Sequence, residues 1–160
     1  MVFVSNFAAA LAWNDGDWTS AELDLDEVET IEDLADLAQQ VEPGGDFVIV
    51  LIEDEDWFAV ARVAADGSTE TFVSDAAEAF RSPIGEVLVT ETGADVVASD
   101  DDPEGFAVPS APVGEAGLLT DLGLKSGDLT RLASSGVTPA DAVTEIAERI
   151  DAIDALEELR

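Results

Sequence analysis

The chain opens with Phe7-Ala8-Ala9-Ala10-Leu11-Ala12-Trp13, an apolar arm that runs into Asn14-Asp15-Gly16-Asp17. These four residues tolerate turn geometry, and Trp18 to Leu25 returns with Ala21, Leu23 and Leu25 on one face and Glu22 and Asp24 on the other. The pattern predicts a β-hairpin with Trp13 and Trp18 bracketing the loop, placed to pair across the strands. Thr30 then reads as a helix cap with Asp33 three residues on, and Ile31, Leu34, Ala35, Ala38 and Val41 recur at helical spacing. Glu32, Asp33 and Asp36 lie near the start, where the helix dipole favours negative charge, and Pro43-Gly44-Gly45 ends the element.

Asp46 to Ile52 is apolar without alternation after its first residue, which predicts a central strand buried on both faces. Trp57 to Val63 and Thr69 to Val73 complete a three-stranded meander across the turns Glu53-Asp54-Glu55-Asp56 and Asp66-Gly67. Ser74 is placed to cap a short helix over 75–80, which Ser82-Pro83 ends, and Ile84 to Glu91 reads as a last strand. Periodicity then fades through Asp100-Asp101-Asp102-Pro103-Glu104-Gly105 and the proline-dotted Pro109 to Val113. Beyond this the pattern turns helical: Leu118 to Leu122 ending at Gly123, a second helix from Ser126 or Gly127 closed by Gly136, and a third opened by Thr138-Pro139-Ala140-Asp141. Ala142, Val143, Ile146, Ala147 and Ile150 form the stripe of the third, with Ile153, Leu156 and Leu159 continuing it. The expected fold is α+β: a mainly antiparallel sheet of five or six strands with two helices (residues 1–91), a flexible acidic linker (92–117) and a small helical C-terminal element (118–160). Whether that element docks on the sheet is left open by the pattern.

Charge changes the picture more than length does. Of 160 residues, 37 are acidic and six basic, a formal net charge of −31, yet 47% are apolar and fall in organised runs, so the chain is not an acidic disordered one. Histidine and cysteine are absent. That excludes a Ser-His-Asp triad, a Cys-His pair, iron–sulfur clusters and ordinary zinc sites, leaving carboxylate acid–base work or a hard cation held by oxygens. The six cations, Arg62, Arg81, Lys125, Arg131, Arg149 and Arg160, are scattered, which argues against direct contact with a nucleic-acid backbone or an anionic membrane. Basic proteins and cations are attracted instead; the same acidity also serves as a solvation device in a salty interior. No unbroken apolar run, Phe47 to Ile52 included, comes near the ~20 residues of a spanning helix. The stretch Phe7 to Trp13 lacks the basic flank of an export signal, and the absence of cysteine suits a reducing compartment, so a cytoplasmic location is expected.

Several stretches, in this order and spacing, resemble the actinobacterial proteins called tRNA adenosine deaminase-associated. They are Phe7 to Ala12, Glu22 to Glu29, Trp57 to Val63, Ser74 to Ala79, Gly85 to Leu88 and Pro139 to Arg149. Together they touch both ends of the chain, and an acidic linker of variable length fits the same pattern. The resemblance implies an association with the enzyme that deaminates the wobble adenosine of tRNA, and it brings no catalytic residues with it. The chain is not that deaminase, whose zinc needs His and Cys in H-x-E and P-C-x-x-C motifs.

Candidate sites are few, and each has a plain structural reading beside it. Asp100, Asp102, Glu104 and Gly105 imitate the first half of a calcium loop, but the twelfth position is Ala111 instead of glutamate, so a solvated linker is favoured. Glu53 to Asp56 gathers four carboxylates at a hairpin tip, where open water denies them the apolar cleft that sets catalytic pKa values apart. Lys125-Ser126 is an adjacent pair that does not converge as a Ser-Lys nucleophile, and helix capping suffices for it. Trp57, Arg62, Asp75 and Arg81 are the candidate partner contacts. For them the alternatives are core packing at Trp57, neutralisation of neighbouring carboxylates at Arg62, and complementing a helix end at Arg81. No metal ligand, cofactor or catalytic residue is assigned. The favoured function is a non-enzymatic accessory protein that binds another protein, with tRNA adenosine deaminase as partner; the alternative is a carboxylate-based small enzyme or a divalent-cation-binding module.

Overall fold

The computed structural model describes residues 7–25, 28–42, 44–54, 56–80, 82–92, 97–98, 106–107, 112–134 and 136–159. The first hairpin joins β1 (Phe7–Asn14) to β2 (Asp17–Glu22), with Trp13 directly opposite Trp18. Asp15 and Gly16 between them both have positive φ, 53° and 86°, the twist that a two-residue hairpin loop requires. α1 (Ile31–Val41) follows. Its start is a full capping box: Thr30 Oγ1 accepts from the Asp33 amide at 3.2 Å while Asp33 Oδ2 accepts from the amides of Thr30 and Glu29 at 3.3 and 3.1 Å.

The meander is β3 (Phe47–Glu53), β4 (Phe58–Ala64) and β5 (Thr69–Val73), and β3 pairs antiparallel with both β1 and β4. Strand order is β2-β1-β3-β4-β5-β8, so the apolar run of β3 is central, as its lack of alternation predicts. The sixth strand is not Ile84 to Glu91. It is β8 (Val113–Gly114), two residues laid against Phe72 and Val73 at the far edge. Gly114, at φ 106°, brings its backbone so near Thr71 that a Cβ would stand 2.2 Å from the Thr71 carbonyl oxygen. Val97–Ala98 (β6) and Phe106–Ala107 (β7) pair separately with each other.

Ile84 to Glu91 lies instead in α3 (Pro83–Glu91). Its short apolar run fits either period, and the end groups decide: Ser82 Oγ accepts from the Gly85 amide at 3.1 Å, and Pro83 occupies the first turn, where its missing N–H costs nothing. Ser82-Pro83 therefore opens a helix where a stop was expected. The short helix before it, α2 (Ala76–Ala79), is capped by Asp75, which accepts from the Glu78 amide at 3.2 Å; Ser74 Oγ is engaged with the Phe58 amide at 2.9 Å.

Period-two alternation divides the sheet into two different faces. Ala8, Ala10, Ala12, Val48, Val50, Ile52, Ala59, Ala61 and Val63 point into one core with α1, α2 and α3. The many alanines make this face shallow, so helices can approach it closely. Ala9, Leu11, Ile49, Leu51, Phe58, Val60 and Phe72 point into a second core, filled from above by Leu118, Leu119, Leu124 and by α4 (Ser126–Ser134), α5 (Pro139–Arg149) and α6 (Ile153–Glu157). The C-terminal helices thus dock on the sheet. α5 begins as its sequence predicts, with Thr138 Oγ1 accepting from the Asp141 amide at 3.2 Å. The stripe beyond it is interrupted: Asp151, at φ 63°, turns the chain before α6 restarts. The fold is α+β, a six-stranded antiparallel sheet with a helical layer on each face.

Candidate functional site

Arg62 is the cation that the fold uses most fully. It projects from β4 toward the C-terminal layer, where its guanidinium forms a bidentate pair with Asp121, with Nη2 to Oδ2 at 2.9 Å. Nη1 also donates to the Leu118 carbonyl at 2.8 Å, and the group lies 4.4 Å from the centroid of the Phe47 ring. Hydrogen bonding from Arg62 holds the Asp121 carboxyl below the usual carboxylate range, and the same bonds raise the Arg62 pKa. The side chain joins the sheet to the turn that overlies it. Phe47 in turn belongs to an aromatic row: Trp13 and Trp18 meet edge to face at 4.9 Å, and Trp18 meets Phe47 edge to face at 6.0 Å.

The other described candidates, Trp57 and Asp75, do not join Arg62 in one site. Trp57 is 2% exposed and belongs to the core beneath α1–α3, so its ring is packing. Asp75 is the cap of α2. Arg81 lies outside the described residues, as do Asp100 to Gly105 and Glu55. At the tip between β3 and β4, the Asp54 amide donates to the Trp57 carbonyl at 2.9 Å in an ordinary hairpin closure. Lys125 begins α4, its amide donating to Asp128 Oδ2 at 3.2 Å. Among the described residues no group of three or more His, Cys, Asp or Glu side chains is arranged to hold a metal ion, and no helix is long and apolar enough to cross a membrane.

The cations are largely consumed internally. Of the four described, Arg62 pairs with Asp121, Arg131 with Asp128 at 2.9 Å, and Arg149 with Asp128 at 3.8 Å and Glu145 at 3.9 Å. Among the described residues the charge that faces solvent is mostly carboxylate. That surface includes an open groove of about 660 Å³ between the start of α1 and the outer side of α3. Val28, Ile31 and Val87 supply its apolar part, and Glu29, Glu86 and Glu91 its acidic part. The sequence does not announce it, because Ile84 to Glu91 fits a strand as well as a helix; at helical spacing, Val87 and Glu91 fall on one side and Ile84 and Leu88 on the buried side. At the head of α1 the amides of Glu29 and Thr30 are met by the Asp33 carboxylate and that of Asp33 by the Thr30 hydroxyl, which places a further negative charge at this end of the groove.

These features define a class: a small, strongly acidic α+β protein whose described cations mostly serve its own fold and whose surface offers an apolar, carboxylate-lined groove. Residues 6–152 match the family model described as Rv3753c-like tRNA adenosine deaminase-associated protein, and the chain belongs to that family. No curated protein and no solved structure matches it. The family description speaks of association with the deaminase, not of deaminase activity.

Proposed function

We propose that this chain is a non-enzymatic accessory protein of the cytoplasm that binds tRNA adenosine deaminase and acts on tRNA wobble modification through that contact. The observation that carries the reading is the charge, −31 overall, with three of the four described cations paired to the chain's own carboxylates. A protein that binds tRNA must present a basic surface, and an acidic domain is steered to such a surface by opposite fields. Membership of a family described as tRNA adenosine deaminase-associated supports that enzyme as the partner. The chain contacts the enzyme and does not itself hold RNA.

Titration calorimetry of the purified chain against the cognate deaminase tests this at two salt concentrations. Raising salt from about 0.1 M to about 1 M shortens the screening length from ~10 Å to ~3 Å, so the affinity is expected to fall at least about tenfold. Absence of binding at the lower concentration removes the reading.

A further inference from the structure

We propose that the groove between α1 and α3 is a docking site for an amphipathic helix of a partner protein, one that presents an apolar stripe flanked by lysine or arginine. This deepens the proposed function, on which the identity of the whole partner rests, and assigns the contact to one place on the molecule.

Three observations select that occupant. The groove is open and lies between two helices, and Val28, Ile31 and Val87 give it an apolar strip that a bare acidic surface lacks. A row of apolar side chains at i, i+3 or i+4 spacing fits such a strip, the usual way a helix is received in a groove. Glu29, Glu86 and Glu91 stand along it, none of its described lining residues is cationic, and the chain as a whole is strongly acidic, so the flanks of the guest must be positive. An anionic guest is repelled by these carboxylates and by that of Asp33, which caps the head of α1. Apolar contact gives the site a preference that charge alone cannot, because a purely electrostatic encounter would be spread over the whole carboxylate surface.

The test uses the full chain and a synthetic helix-forming peptide of leucine and lysine, about 14 residues long, followed by NMR. A second peptide keeps the lysines and replaces the leucines by serine. The first is expected to produce saturable shifts at Val28, Ile31 and Val87, and to bind at least about tenfold more tightly than the second. Val87→Asp, and separately Glu86→Lys with Glu91→Lys, should each weaken it about tenfold or more. Glu145→Lys, on the opposite helical layer, should change affinity by less than about twofold. Circular-dichroism melts confirm that each variant is folded, and the Glu86 and Glu91 changes lie at exposed positions that burial does not constrain. Equal binding of the two peptides, shifts centred elsewhere, or no saturation overturns the docking site. The same variants titrated against the deaminase separate the two proposals. Undiminished binding of the enzyme to groove variants overturns the groove and leaves the partner standing. Peptide binding without enzyme binding overturns the partner and leaves the groove.

Discussion

Arg62 shows how much of this protein's scarce positive charge is committed to holding its layers together. The side chain is 20% exposed and satisfies a carboxylate, a carbonyl and a ring face at once. Arg62→Ala should therefore cost about 2 kcal/mol in urea unfolding, since charge-assisted bonds to a half-buried group are lost together. Asp121→Asn should cost at most about 1 kcal/mol, because that carboxylate is mostly exposed and screened. The sign of the pH dependence follows from the depressed Asp121 pKa. Its contribution is complete above the ordinary value near 3.8 and is lost as pH falls through the lower folded-state value. Unfolding curves of wild type and Asp121→Asn should thus stay a constant interval apart at neutral pH and converge below about pH 4; an interval that widens on acidification contradicts the pairing. That Arg62 meets carboxylates was legible in the sequence, given 37 acids against six bases. That the carboxylate belongs to Asp121, 59 residues away, was not, because nothing local records which turn will lie over β4.

At the scale of elements, end groups carry more information than apolar runs. The box at Thr30 and Asp33 and the cap-proline-acid sequence at Thr138 to Asp141 were readable because each satisfies named backbone amides, and both helices begin there. Ile84 to Glu91 misleads because eight residues of mixed apolar and small side chains fit a strand as well as a helix, and only Ser82 and Pro83 break the tie. Gly85 adds a steric reason: a Cβ there would come within 1.8 Å of the Ala79 carbonyl oxygen, so glycine is what lets α3 fold back on α2. Gly85→Ala is expected to destabilise by about 2–4 kcal/mol in chemical denaturation, since the obstacle is backbone and cannot rotate away. Thr30→Ala should cost about 1 kcal/mol by the same measurement, the usual loss on removing a cap.

For the molecule as a whole, the decisive fact is that the sheet is apolar on both sides. The continuous apolar run of β3 announced this, and the first 91 residues supply helices for one face only; the second cover comes from the chain's last third. A chain ending at residue 117 would leave Leu11, Ile49, Leu51, Phe58 and Phe72 uncovered. At about 1.5–3 kcal/mol each, the loss is on the order of 10 kcal/mol. That is comparable with the whole stability of a domain, about 5–15 kcal/mol. Such a truncated chain is expected to aggregate or to bind a hydrophobic dye without a cooperative melt; a cooperative melt with no dye binding would show the sheet to stand alone. The same scale governs response to salt. With −31 charges on one small body, moving from about 0.01 M to about 1 M salt should raise the melting temperature by on the order of 5 °C, as self-repulsion is screened.

The placement of the tryptophans divides the two covers optically. Trp57 is sealed among α1–α3, whereas Trp13 and Trp18 sit half-buried at the hairpin end, with Trp18 packed against the core of the opposite layer. A collisional quencher such as acrylamide should reach the hairpin pair and spare Trp57, so the native emission resolves into an accessible and a protected component. Loosening of the C-terminal layer alone would then alter the first component while the second kept its blue position, giving each half of the sandwich its own intrinsic fluorophore.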